Sequence, residues 1–311
     1  MYYPFLRARQ FELVALRELV AEGICQDYIV PILEPVKQSH NNLSLAARSF
    51  AEKNQRCFLV ANPRVGEMTG DNTHYLHFLV NESLDVFKAG FHYSNNGNYI
   101  QSCIESYNLN ECILICQNDV TVDDARFTAL VSLPQISAIC IETPGRNRDL
   151  HRFLKGLNKQ YIRLDDLFEK QVKNSEFLPI SEHRFSEEHL FYGEEGFTGF
   201  GDYTVLPSEY TDGGSAPRAV AIHMTYLKDN GQIWIRHFTS ISNDSIANVQ
   251  GKFAEAASKA VAFFRERHIT NSAIAELDDY FTAQHYPGLG TVKKISIKNH
   301  LIVVADYLRN R

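Results

Sequence analysis

The chain has 311 residues, 44% of them hydrophobic and 22% charged, with a formal net charge of -6. That balance suits a globular protein with room for one large α/β domain. It carries no dense Lys/Arg block, hence no strong nucleic-acid signal, and no apolar stretch of about 20 residues that would cross a membrane. The six cysteines form no Cys-x-x-Cys pair, which excludes a zinc knuckle or a dithiol redox motif. With no signal-like N-terminus, a reducing cytoplasm is the expected compartment.

In chain order, residues 2–6 read as a short strand, and apolar positions Phe11, Val14, Ala15 and Leu19 predict a helix over 7–22, stopped at Gly23. The apolar run 29–33 ends at Glu34, and a second helix follows over 43–53 with Asn42 as its cap. The run 57–61 ends at Asn62. Residues 86–93 form the next strand candidate and 99–107 its helix. The run 112–116 leads into Asp119, and Thr121 with Asp124 suggests a capping box. The run 136–141 ends at Glu142, a helix covers 149–157, and the run 161–164 ends at Asp165 and Asp166. Such runs, spaced a helix apart, predict a parallel β/α barrel of the TIM-barrel type.

From about 168 to 201 the pattern gives way to a polar insertion. Strands over 219–226 and 232–239 flank Asp229, Asn230 and Gly231, a hairpin signal. Helices over 246–267, 272–284 and 296–309 end the chain. The expected organisation is one barrel-like domain over 1–311, with regular β-α units to 167, insertion and hairpin over 168–240, and terminal helices from 246. The strand count leaves open whether 2–6 or one hairpin strand lies outside the barrel.

In a parallel barrel the carboxyl ends of all strands meet on one rim, where ligands bind. Glu34, Asn62, His92, Asp119, Glu142, Asp165 and Asp166 are therefore expected to converge. Gathered carboxylates raise one another's pKa or share a divalent cation such as Mg²⁺, for which Glu34, Glu142 and Asp165 are the candidate ligands. Either outcome suits acid–base or metal-assisted chemistry. The plainer alternative is that polar residues mark where strands meet solvent. Gly199 and Gly201 can bring backbone amides to an anion, or merely permit a bend, with Asp202 beside them. Arg7, Arg9, Arg64, Arg146 and Arg148 are candidate anion contacts. The turns Asn62-Pro-Arg64 and Thr143-Pro-Gly-Arg146 suit a phosphate. His223 is a rim candidate if its strand belongs to the barrel; His74 and His77 have metal-compatible spacing but no third ligand nearby. The candidate catalytic set is thus Glu34, Glu142, Asp165, Asp202 and His223. The candidate ligand-binding set is Asn62, Arg64, His92, Asp119, Arg146, Gly199 and Gly201.

Several segments resemble the bacterial and phage-associated "beta protein" family: Tyr2-Tyr-Pro-Phe-Leu-Arg7, Gln10-Phe-Glu-Leu-Val-Ala-Leu16, Ile29-Val-Pro-Ile-Leu-Glu-Pro35, Gly199-Phe-Gly-Asp-Tyr-Thr-Val-Leu-Pro207 and Ala219-Val-Ala-Ile-His-Met-Thr225. The resemblance implies a barrel-like α/β fold and a setting among phage-defence and mobile-element genes, beside a nuclease-like protein partner. It establishes no catalytic residues, although Glu34, Asp202 and His223 fall within the matching blocks.

The expected function is a component of antiviral defence whose barrel binds a phosphorylated or nucleotide-like ligand. Two alternatives stand beside it. One is a metal-dependent hydrolase or lyase using the rim carboxylates. The other is a non-catalytic interaction scaffold, which would expose Phe253, Val261, Phe264, Ile302 and Leu308 on the terminal helices.

Overall fold

The computed structural model describes residues 1–71, 73–83, 85–116, 120–213 and 218–311, apart from the side chain of Arg146. They form two compact units, Met1–Asp166 with Glu188–Tyr203, and Leu167–Glu187 with Thr204–Arg311.

The first unit is an eight-stranded parallel sheet curled into a nearly closed β/α barrel. Its strands are β1 (Phe5–Leu6), β2 (Ile32–Leu33), β3 (Cys57–Val60), β4 (Phe87–His92), β5 (Cys112–Cys116), β6 (Ile136–Glu142), β7 (Gln160–Asp165) and, after a strand of the other unit, β9 (Gly199–Asp202). Helices α1 (Gln10–Ala21), α2 (Asn41–Glu52), α3 (His74–Asn81), α4 (Gly97–Ser106), α5 (Ala125–Ser132) and α6 (Arg148–Lys155) alternate with them. α1 stops in a Schellman turn: Gly23 takes φ +72°, its N–H donates to the Val20 carbonyl, and Ile24 N–H donates to that of Leu19. The cap of α5 is Asp124 alone, whose carboxylate accepts from the N–H groups of Arg126 and Phe127.

The barrel closes where β1 meets β9. Tyr2 bridges both Ile29 and Phe200, and Tyr3 N–H donates to the Phe200 carbonyl at 2.8 Å. Gly201 permits this seam, because a Cβ there would lie 2.2 Å from the Tyr3 carbonyl oxygen. Alternate residues of successive strands, including Tyr3, Phe5, Val30, Ile32, Phe58, Val60, Ile113, Ile115, Ala138, Cys140, Ile162 and Leu164, form one buried cluster inside the barrel. The strand over 2–6 therefore belongs to the barrel. The polar insertion, in turn, conceals its eighth strand, which is too short and glycine-rich to announce itself.

In the second unit, β8 (Glu182–Ser186), β10 (Ala221–Leu227) and β11 (Ile233–Thr239) form an antiparallel sheet in the order β10-β11-β8. Both hairpin strands thus lie outside the barrel. Their turn ends on Gly231 at φ +81°, with Lys228 N–H donating to the Gln232 carbonyl. Two short helices, α7 (Phe177–Ile180) and, in the barrel unit, α8 (Glu188–Phe191), flank β8 in sequence. Helices α9 (Val249–Glu266) and α11 (Leu289–Arg309) pack on the second sheet, and α10 (Ser272–Thr282) packs on both. Phe253, Val261, Phe264 and Ile302 are buried there and Leu308 is half-buried, so the apolar surface expected of a scaffold is consumed by this unit's own core. No helix among the described residues is long and apolar enough to cross a membrane.

Candidate ligand site at the barrel mouth

Inward alternation carries past the apolar layers onto polar side chains at the carboxyl ends of the strands. Tyr3 and Phe5 lead to Arg7, Val30 and Ile32 to Glu34, Phe58 and Val60 to Asn62, and Ala138 and Cys140 to Glu142. Glu34 is the centre of this layer. Its carboxylate is fully buried and accepts from the Arg7 guanidinium, from His92 Nε2 at 3.0 Å and from the backbone N–H of Arg64 at 2.7 Å. Arg7 also stands over the rings of Phe5 and Tyr203, at 5.2 and 5.8 Å from their centroids.

Burial, with the charges of Arg64 and Arg7 beside it, holds the His92 imidazole well below its ordinary value. The ring is therefore neutral near pH 7. The tautomer that satisfies Glu34 carries its proton on Nε2, which leaves a buried Nδ1 with no hydrogen-bond partner among the described residues. Asn62 fixes this histidine's backbone in both directions. Its Nδ2 donates to the His92 carbonyl at 2.9 Å and its Oδ1 accepts from the His92 N–H at 2.8 Å. The Arg64 side chain is exposed and donates to the Tyr93 carbonyl at 2.9 Å.

Glu142 completes the layer by accepting from the Tyr203 hydroxyl at 2.9 Å. Burial first, then the Glu142 charge, raises the Tyr203 hydroxyl above its ordinary value, so it remains a donor. Cys116 lies close enough to feel Arg64, yet burial pushes its thiol up to about 12, and it is inert at neutral pH.

Of the expected convergent set, Glu34, Asn62, His92 and Glu142 come together, joined by Arg64 from the ligand-binding candidates. Asp165 does not. Ile162 and Leu164 face the interior, so Arg163 and Asp165 face outward, where Arg163 pairs with Asp165 at 2.8 Å and with Glu188 and Glu195. The cation site expected from Glu34, Glu142 and Asp165 is therefore not assembled. Among the described residues no group of three His, Cys, Asp or Glu side chains is arranged to hold a metal ion. Asp202 also faces outward, accepting from the Tyr2 hydroxyl at 2.6 Å across the seam. Gly199 and Gly201 belong to a barrel strand, where their missing side chains make room for Tyr3. His223 lies on β10 of the second unit, not on a barrel strand. Asp119 and the Arg146 side chain lie outside the described residues.

Tyr203 escaped the sequence reading and Arg7 stood only among the general anion candidates. Both were within reach: Gly199, Gly201 and Tyr203 continue one face, as do Tyr3, Phe5 and Arg7. What hid Tyr203 was the missed strand.

The fold and this polar layer define an α/β-barrel protein with a mixed-charge mouth. No family model and no curated protein matches the chain. Among solved structures, it resembles the glycerol uptake operon antiterminator regulatory protein of Listeria monocytogenes str. 4b F2365. Identity is 13% and TM-score 0.39, over 65% of this chain and 91% of that one.

Proposed function

We propose that the barrel mouth binds a phosphorylated or nucleotide-like ligand, and that the chain serves a bacterial anti-phage or mobile-element system with a nuclease-like partner. The carrying observation is Glu34, a fully buried carboxylate that spends its lone pairs orienting Arg7, His92 and the Arg64 backbone. Buried ionic clusters rarely improve stability over apolar packing, and they concentrate at functional sites. Arg7 and the exposed Arg64 supply donors for an anion, and Glu34 acts as their positioning residue rather than as an acid or base. The defence setting rests on the resemblance to the "beta protein" family.

Titrating the full chain with AMP and with inorganic phosphate tests the site. Arg64→Ala is expected to weaken binding about 10- to 100-fold, the worth of one charge-assisted contact. Equal affinity in wild type and variant sinks the anion reading. Deleting the gene and challenging the host with a broad phage panel tests the setting; unchanged plating on every phage removes it.

A further inference from the structure

A cavity of about 400 Å³ lies in the barrel unit and is lined by Glu142, Thr143, Leu150, His151, Tyr161 and Thr121 among others. We infer that this cavity is the subsite for the hydroxyl-bearing part of a sugar phosphate, with Glu142 as the acceptor that selects it. The inference rests on the anion-binding reading of the mouth and names the ligand class for it.

Glu142 belongs to both places. It lines the cavity, and it accepts from Tyr203, whose ring carries Arg7 on its face. Cys116, a second lining residue, feels the charge of Arg64. A ligand whose phosphate meets the arginines thus has its remaining atoms directed past Glu142.

The chemistry of the lining narrows what those atoms are. Among the described residues Tyr203 is the one hydrogen-bond donor to Glu142, and it uses a single carboxylate oxygen. An ionised carboxylate only accepts, so it welcomes hydroxyl or amino groups and repels a second anion. Thr121 and Thr143 add hydroxyls, His151 adds an imidazole whose Nδ1 lies 3.1 Å from the Tyr161 hydroxyl, and Leu150, Val120 and Pro144 give apolar wall. A mixed lining of this kind suits a pentose, and the volume falls within the range of small-molecule sites. The backbone beside Glu142 is also unusual: Thr143, a β-branched residue, takes φ +50°, ψ +60°. That conformation turns the chain directly after β6 into the wall of the cavity, and such outliers cluster at ligand sites.

Calorimetric titration of the full chain with ribose 5-phosphate and with inorganic phosphate tests the assignment. In the wild type, ribose 5-phosphate is expected to bind at least about tenfold more tightly, the worth of one hydrogen bond to a charged group. Glu142→Gln should remove most of that advantage. Thr121→Trp, at an exposed lining position, should fill the cavity and remove the advantage without touching Glu142. It keeps the test open if Glu142→Gln fails to fold. Equal binding of the two probes by the wild type overturns the sugar subsite while the anion reading stands. An advantage that survives both substitutions overturns the placement at this cavity. If neither probe binds, the mouth reading falls and the subsite with it.

Discussion

The barrel mouth and the second unit both bury histidines and keep them neutral by different means. His92 is flanked by two arginines and donates to a carboxylate, so its neutrality comes from burial together with nearby positive charge. His223 and His237 face each other across the β10–β11 pair, Nδ1 to Nδ1 at 2.7 Å. The ring of Phe177 covers both, at 4.7 and 4.4 Å between centroids. Burial lowers His223 to about 4. Burial, with His223 and His183 beside it, lowers His237 to about 2. The mouth pays for its charges with specific partners, a pattern suited to receiving a charged ligand. The His223–His237 pair has no carboxylate or arginine partner among the described residues, a pattern suited to packing. Histidine content alone is therefore no guide to where chemistry sits.

The largest effect that sharpens this contrast is expected from Glu34→Ala. It removes the acceptor shared by Arg7, His92 and the Arg64 N–H and should cost about 3–5 kcal/mol in urea unfolding. A loss under about 1 kcal/mol would mean that water solvates the mouth and that the network is not a buried one.

The histidine pair should reveal itself through pH. Both folded values lie below the ~6.5 of an unfolded histidine, so the unfolded chain takes up protons first. Stability is then full above about pH 6.5 and is lost as pH falls below it toward 4, by up to about 1.4 kcal/mol per pH unit for each histidine. Urea midpoints at pH 7, 6 and 5 measure the slope. The double substitution His223→Asn with His237→Asn should flatten it, leaving the shares due to His92 and His40, which burial also lowers. A slope that the double variant leaves untouched would break the contrast.

The smallest effect is expected from Tyr203→Phe, which deletes the donor to Glu142 and keeps the ring beneath Arg7. About 1 kcal/mol of stability should go, the net worth of an ordinary hydrogen bond. No change would indicate that water replaces the hydroxyl.

Much of the barrel was legible because parallel strands are buried on both faces and read as unbroken apolar runs, as 112–116 does. β9 was not. Gly199 and Gly201 weaken any strand signal, and their role depends on Tyr3, which lies nearly 200 positions away in the chain. The rim residues were half legible: their position at strand ends follows from the runs, but their facing does not. Period-2 alternation places Glu142 inside and Asp165 outside, and a one-residue difference in strand end reverses the face.

By itself, then, the order of residues determined the β/α alternation, the hairpin turn and the polar character of the strand ends, because each depends on neighbours within a few positions. Tertiary structure alone decided which strand ends share a mouth and which strand closes the barrel. It also gave Arg7 and His92 to Glu34, while Arg163 took Asp165. Those outcomes depend on register and on which face meets the interior, and both are set by contacts between residues far apart in the chain.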